Sequence, residues 1–328
     1  NVTVLTQARV TRVLFDGRHA TGVAYRRHGR DQVAFARGEV ILAGGAINSP
    51  QLLQLSGIGP ADPLRSLGIE VICDNPNVGA QLSDHLGLNY TWRMTVPTLN
   101  EVLRPWWGKL GLGLRYLLTG RGPLGTSINH GGGFFRTDPA LARPNMQLYM
   151  QAFSTLLPRA GERPVLTPDP FPGLSLGVSN CRPSSWGSVR LRTADPFAPP
   201  QIFANALSTD HDVAELLAGV KFLRRITACE PLRSVIAEEL RPGPAVQSDT
   251  ELIDDLRQRC STIFHPAGSC RMGPDLGGSV VDARLRVHGI GGLRVCDASI
   301  FPQPVAGNIN AASMMVGWKG AEFVLAPD

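Results

Sequence analysis

The chain has 328 residues, 43% hydrophobic and 18% charged, with a net charge of +5. That length buries a full core in two domains or one large one, and the composition excludes a disordered or fibrous chain. The basic residues are scattered (Arg26, Arg27, Arg30; Arg224, Arg225) rather than massed beside aromatics, so they read as solvated faces and no nucleic-acid partner is expected.

The first residues, Val2-Thr3-Val4-Leu5, are already strand-like and follow Asn1 without a Met, which reads as a fragment whose N-terminal part is missing. Alternating or β-branched character then predicts strands over Arg9–Phe15, Thr21–Tyr25, Gln32–Phe35 and Glu39–Leu42, with Asp16-Gly17 as a hairpin turn. Val40-Ile41-Leu42 is apolar throughout, as a fully buried strand would be. Ala43-Gly44-Gly45-Ala46 follows it. A helix is expected from about Ser49-Pro50, with proline at its first position, ending at Ser56-Gly57.

The texture changes near residue 85, and 86–200 carries strand-like and loop-like pieces rich in Pro and Gly. Residues 208–229 form a predicted helix capped by Ser208 or Thr209, with Val213, Leu216, Leu217, Val220, Leu223 and Ile226 on one face. Ser248-Asp249-Thr250-Glu251 is a capping box opening another helix to about Cys260. A last apolar helix is expected over Ala311–Leu325.

Six cysteines (Cys73, Cys181, Cys229, Cys260, Cys270, Cys296) form no C-x-x-C pair and read as reduced thiols. No apolar run approaches the ~18 residues of a membrane span. The expectation is a cytoplasmic protein without an integral membrane segment, a peripheral position at the inner membrane being the alternative. Oligomeric state is not legible.

Three places carry chemistry. The loop Phe264-His265-Pro266-Ala267-Gly268-Ser269-Cys270-Arg271-Met272-Gly273 holds an imidazole between a helix end and a Pro/Gly path. Proline restricts His265 to extended backbone, and an imidazole is the side chain best suited to take a hydroxyl proton at neutral pH. Asp297 ends the apolar strand Leu293-Arg294-Val295-Cys296, where an α/β sheet binds ligand hydroxyls; it reads equally as a cap of Asp297-Ala298-Ser299. Asn308 and Asn310 precede the last helix, whose start stabilises an anion; both read equally as caps. Gly44-Gly45 after a strand permits close backbone approach to a ligand. No G-x-S-x-G elbow, P-loop or G-x-G-x-x-G is present, and seven dispersed histidines without H-x-H or H-x-x-x-H spacing predict no metal.

Gly45-Ala46-Ile47-Asn48-Ser49-Pro50-Gln51-Leu52-Leu53, Asn77-Val78-Gly79 with Leu82 and Asp84-His85, the Phe264–Gly273 string, and Asn308-Ile309-Asn310-Ala311 occur in one order. In this the chain resembles the glucose–methanol–choline (GMC) oxidoreductases, specifically their choline-dehydrogenase-like branch. The resemblance implies a discontinuous α/β FAD-binding fold over 1–84 and 258–328, lacking its N-terminal phosphate loop. It also implies an α+β substrate domain with an antiparallel sheet over 85–257. It implies FAD as cofactor and an alcohol, choline-like or another primary alcohol, as substrate. His265 would be the base and Asn308 would bond the forming alkoxide. Val10, Gly44, Asp297, Ala298 and Asn310 would approach the cofactor, and quinone or oxygen would accept electrons. His130 stands where many members carry Glu, which removes an anion that would hold a cationic substrate. A non-catalytic fragment, or a lyase on the same fold, is the alternative.

Overall fold

A computed structural model describes residues 2–155 and 167–326; the part of the Pro/Gly-rich region at 156–166 lies outside the described residues. The chain divides into two compact units. One comprises Asn1–His85, Arg182–Ser208 and Phe264–Asp328; the other comprises Leu86–Cys181 and Thr209–Ile263.

The first unit opens with an antiparallel sheet of β1 (Ala8–Asp16), β2 (His19–Arg27) and β3 (Arg30–Phe35). Asp16 pairs with His19 across the β1–β2 turn, and Gly17 takes φ 55° there, a value glycine adopts at little cost. Val2–Leu5 is not a strand: Val2 and Val4 are largely exposed, and no ladder partner adjoins them among the described residues. β4 (Val40–Leu42) pairs in parallel with Leu293–Val295, in the register Val40↔Leu293 to Leu42↔Val295. It is buried on one face only, since Ile41 is exposed between buried Val40 and Leu42. Arg294 lies opposite Ile41 and holds Glu39 at 2.6 Å, with both side chains mostly out of water. The core joins the first and last stretches of the unit: Val13, Leu42, Leu53, Val78, Val281, Leu293, Val295 and Ile300 are buried together.

α1 (Gly45–Leu55) starts four residues before the expected helix and therefore contains Pro50. Proline has no N–H to give the carbonyl one turn back. That carbonyl belongs to Ala46, and the buried Ser269 hydroxyl donates to it at 2.6 Å. The helix can therefore run through Pro50 because a side chain distant in sequence replaces the missing bond. Its end at Ser56-Gly57 is as expected, with Gly57 at φ 81°.

Residues 182–208 fall in this unit, which the composition-drawn boundary does not anticipate. The cause is backbone pairing: Gly187–Arg190 runs antiparallel to Ala80–Leu82 on one side and to Gln201–Phe203 on the other.

The second unit is built on a six-stranded antiparallel sheet. Its central strand Gly173–Asn180 is buried at every residue. The helix Asp210–Thr227 is capped by Thr209, whose side chain accepts from Asp212 N; Leu216, Gly219, Val220 and Leu223 are buried. A Cβ at Gly219 would lie 2.5 Å from Met146 Cε, so the end of that flexible side chain would have to shift. The capping box Ser248/Glu251 opens the helix Asp249–Arg259 as the spacing predicts. All six cysteines are free thiols. Among the described residues, no helix is long and apolar enough to cross a membrane.

Candidate active site

His265 is held by two motifs that meet in space. Ser83 and Ala267 exchange backbone bonds (N···O 3.0 and 2.8 Å), and His265 N donates to Asp84 Oδ1 at 2.9 Å. Gly79 N donates to Ser269 O, and Cys270 N and Met272 N donate to Ser299 O and Ile300 O. Gly268, at φ 84°, passes so close to Gln81 that a Cβ would sit 2.8 Å from its carbonyl oxygen. Phe264 takes φ 65°, a left-handed conformation that costs a bulky side chain energy. The Pro/Gly loop read from the sequence is therefore rigid because it is stitched on both sides.

The His265 ring is buried. Its Nδ1 lies 3.0 Å from Nδ1 of His85, with the rings edge-on at 86°, and its Nε2 lies 3.3 Å from Asn308 Nδ2. Burial pushes the imidazole below its ordinary value, and the Asp84 carboxylate opposes that in part. The result is a ring kept neutral at pH 7, with the nitrogen beside Asn308 available as an acceptor. His85 is almost wholly buried. The sequence marks Asp84-His85 as part of a motif and assigns it no role. The contact joins residues 180 apart, which no spacing rule reaches.

Asn308 and Asn310 do not cap the last helix. That helix spans Asn310–Leu325, and its N-cap is Ile309, which makes no side-chain cap bond. Asn308 instead turns to His265, and exposed Asn310 is the first helical residue.

Asp297 is a cap: Oδ1 accepts from Ser299 N at 2.8 Å. Oδ2 accepts from Gly45 N at 2.9 Å and from the Ser49 hydroxyl at 2.6 Å, and Ser49 Oγ accepts from Gly44 N at 3.0 Å. The carboxylate thus fastens the start of α1 to the end of the neighbouring strand. These bonds explain why the helix begins at Gly45 and not at Pro50. Ala298 follows in a buried single turn, and its carbonyl accepts from Gly268 N at 3.4 Å, tying this corner to the His265 loop.

Val10 and Gly44 line one cavity of about 650 Å³ with Phe35, Ile41, Ser49 and Leu52. It opens at the carboxyl end of β4, where α/β sheets take their ligands. At Gly44 no side chain stands between the backbone and the cavity; a Cβ built there would crowd Asn48 and Ser49 at 3.1–3.3 Å.

The first unit is therefore a discontinuous α/β assembly with a strand-end cavity and a neutral buried imidazole held against an amide. The chain belongs to the GMC oxidoreductase family: the family's N-terminal model matches residues 1–87 and its C-terminal model residues 183–317. It is 39% identical over 326 residues to human mitochondrial choline dehydrogenase, covering 99% of this chain and 54% of that protein. It is 38% identical over 328 residues to the alcohol dehydrogenase [acceptor] of Pseudomonas putida, covering 58% of that protein. The chain spans a little over half the length of these curated relatives. Among solved structures it is similar to formate oxidase, with TM-score 0.89 and 29% identity over 97% of this chain and 59% of that one. It is also similar to pyridoxine 4-oxidase from "Mesorbium loti", with TM-score 0.82 and 28% identity over 98% of this chain and 57% of that one. The expected pairing of an α/β unit with a second unit built on an antiparallel sheet holds.

Proposed function

We propose that this chain is the part of an FAD-dependent oxidoreductase that oxidises an alcohol, with His265 as the base. The observation that carries the reading is the buried imidazole whose Nε2 stands 3.3 Å from Asn308 Nδ2. Neutral His265 takes the hydroxyl proton on Nε2, and the Asn308 amide donates to the oxygen as it becomes an alkoxide. Proton removal comes first in effect, because a carbon bearing O⁻ releases hydride far more readily than one bearing OH. The imidazolium that forms is held by the nearby Asp84 carboxylate.

FAD, when bound, supplies the two-electron acceptor for that hydride. The residues present fit it. The cavity between Val10 and Gly44 has the size and apolar wall that a heteroaromatic ring system needs, with an open backbone at one side. Asp297 keeps Gly44-Gly45 in place, Ala298 lies just past the strand end, and Asn310 lies at the start of the last helix. The relatives named for choline and for alcohol leave the substrate class broad, as does His130. That ring bonds Ala152 N and edges Phe153, and it places no fixed anion at its position. The electron acceptor is a quinone or oxygen.

The test is anaerobic flavin reduction by a panel of primary alcohols, followed by stopped-flow absorbance. His265→Ala should lower the reduction rate by about 10²–10⁴-fold, the usual worth of a placed general base, while the FAD-to-protein ratio after gel filtration stays unchanged. Reduction of the variant's flavin at the wild-type rate would remove His265 as the base.

A further inference from the structure

His265 has two ring nitrogens and, when neutral, one proton. A base that works through Nε2 needs that proton on Nδ1. The neighbours of the ring decide where it goes. On one side the Asn308 amide nitrogen faces Nε2 at 3.3 Å. An amide N–H only donates, so Nε2 facing it must present a lone pair. On the other side, Nδ1 of His265 faces Nδ1 of His85 at 3.0 Å. Two ring nitrogens at that distance share one proton: one donates and the other accepts. If His85 were the donor, the His265 proton would sit on Nε2 and collide with the Asn308 N–H. If His265 were an imidazolium, both its N–H groups would need acceptors and one would meet a donor. One arrangement satisfies both contacts. His265 carries its proton on Nδ1 and donates it to His85, and His85 carries its own on Nε2.

We infer that His85 is a positioning residue that holds His265 in the Nδ1–H tautomer, leaving Nε2 as the basic nitrogen. The inference rests on the functional reading above only for its consequence; the tautomer itself follows from the two contacts. The chemistry is that of a second group orienting a base. A hydrogen bond at one ring nitrogen selects the tautomer and raises the basicity of the other, and it strengthens when the ring becomes charged. His85 is well built for this. It is 1% exposed, so water does not compete for its Nδ1. It follows Asp84, whose carboxylate accepts from the His265 backbone. It also lies two residues from Ser83, which is bridged to Ala267 by a pair of backbone bonds. The two imidazoles are thus fixed by their backbones as well as by their rings. Asp84 and His85 are titratable groups that face His265 from this segment, Asp84 at its backbone N–H and His85 at its ring edge.

The experiment reads the ring nitrogens directly. The chain is labelled with ¹⁵N-histidine, and two-bond ¹H–¹⁵N spectra are recorded at a pH where the rings are neutral. The His265 signals are assigned by their loss in His265→Gln. The expected pattern is a protonated, pyrrole-type Nδ1 and an unprotonated, pyridine-type Nε2 at His265, with the reverse at His85. A His265 ring protonated on Nε2 would overturn the proposal. In His85→Leu the Nδ1–H population at His265 should fall and the Nε2–H form, favoured by free imidazole, should grow. His85→Asn places an amide oxygen near the lost Nδ1 and should restore the Nδ1–H form. Undiminished Nδ1–H in His85→Leu would show that His85 does not set the tautomer. If the leucine variant does not fold, the wild-type and asparagine spectra decide. Failure to bind FAD or to oxidise alcohols would sink the functional reading and leave these spectra unchanged, so the two fail separately.

Discussion

At the scale of single residues, the chemistry turns on how burial acts on one imidazole. The His265 value is lowered from its ordinary 6.5 because the charged ring loses water. A group whose folded value lies below its unfolded one binds fewer protons in the native state. Its contribution to stability is therefore full above pH 6.5 and is lost as pH falls from there through the folded value. His265→Asn should flatten that part of the stability-against-pH curve, measured by urea unfolding between pH 5 and 8. The same ring predicts a rate profile for flavin reduction with one group that must be unprotonated, and a midpoint below the ordinary imidazole value. Asn308→Ala should lower the rate less than His265→Ala, since it removes one hydrogen bond to developing charge and leaves the base in place. An Asn308→Ala rate as low as that of His265→Ala would mean that the amide does more than this.

At the scale of elements, the run of α1 through Pro50 has a cause that can be tested by pairing substitutions. Ser269 satisfies the Ala46 carbonyl that Pro50 leaves without a donor. Ser269→Ala should therefore destabilise the protein by roughly 1–3 kcal/mol, the cost of an unsatisfied buried acceptor. In a Pro50→Ala background the alanine N–H can supply the bond, so the same Ser269→Ala change should cost clearly less. The double-mutant cycle, read by urea denaturation, should show coupling; strict additivity would mean that the serine hydroxyl acts elsewhere. Asp297 acts on the same first turn of the helix through its amide and hydroxyl donors. Its bonds to Gly45, Ser49 and Ser299 mean that Asp297→Ala should loosen the start of α1 and so weaken flavin retention more than proton transfer. The ratio of FAD to protein after gel filtration checks this.

At the scale of the whole molecule, the first unit is assembled from three stretches of chain. Among the described residues β4 pairs with Leu293–Val295, and the His265 loop is bridged to Ser83. Ending the chain after residue 263 should therefore leave Val40–Leu42 without protection in hydrogen exchange. Gly173–Asn180, whose partners all lie before that point, should stay protected. Equal protection of both strands in the shortened chain would contradict the division into two units.

Much of this was legible in the residues themselves. The hairpin at Gly17, the capping box at Ser248 and the helix capped by Thr209 are local structures, set by backbone preference and by side chains within a few residues of the backbone they satisfy. His265 and Asn308 were legible as candidates because motifs in family order surround them. What the sequence could not contain is what depends on residues far apart. Local preference puts Pro50 at a helix start; bonds from Asp297 and Ser269, 248 and 223 residues away from their partners Ser49 and Ala46, move that start back to Gly45. Composition puts 182–208 with the Pro/Gly-rich middle; pairing with Ala80–Leu82 moves it to the first unit. His85 stands in a motif that gives it no role, and only folding brings its ring within hydrogen-bond reach of His265. The sequence by itself determined the kinds of element and the residues able to do the chemistry, because these follow from short-range geometry and intrinsic side-chain properties. Which nitrogen of His265 holds the proton was decided by the tertiary structure alone, because that depends on donors and acceptors brought to its two edges from opposite ends of the chain.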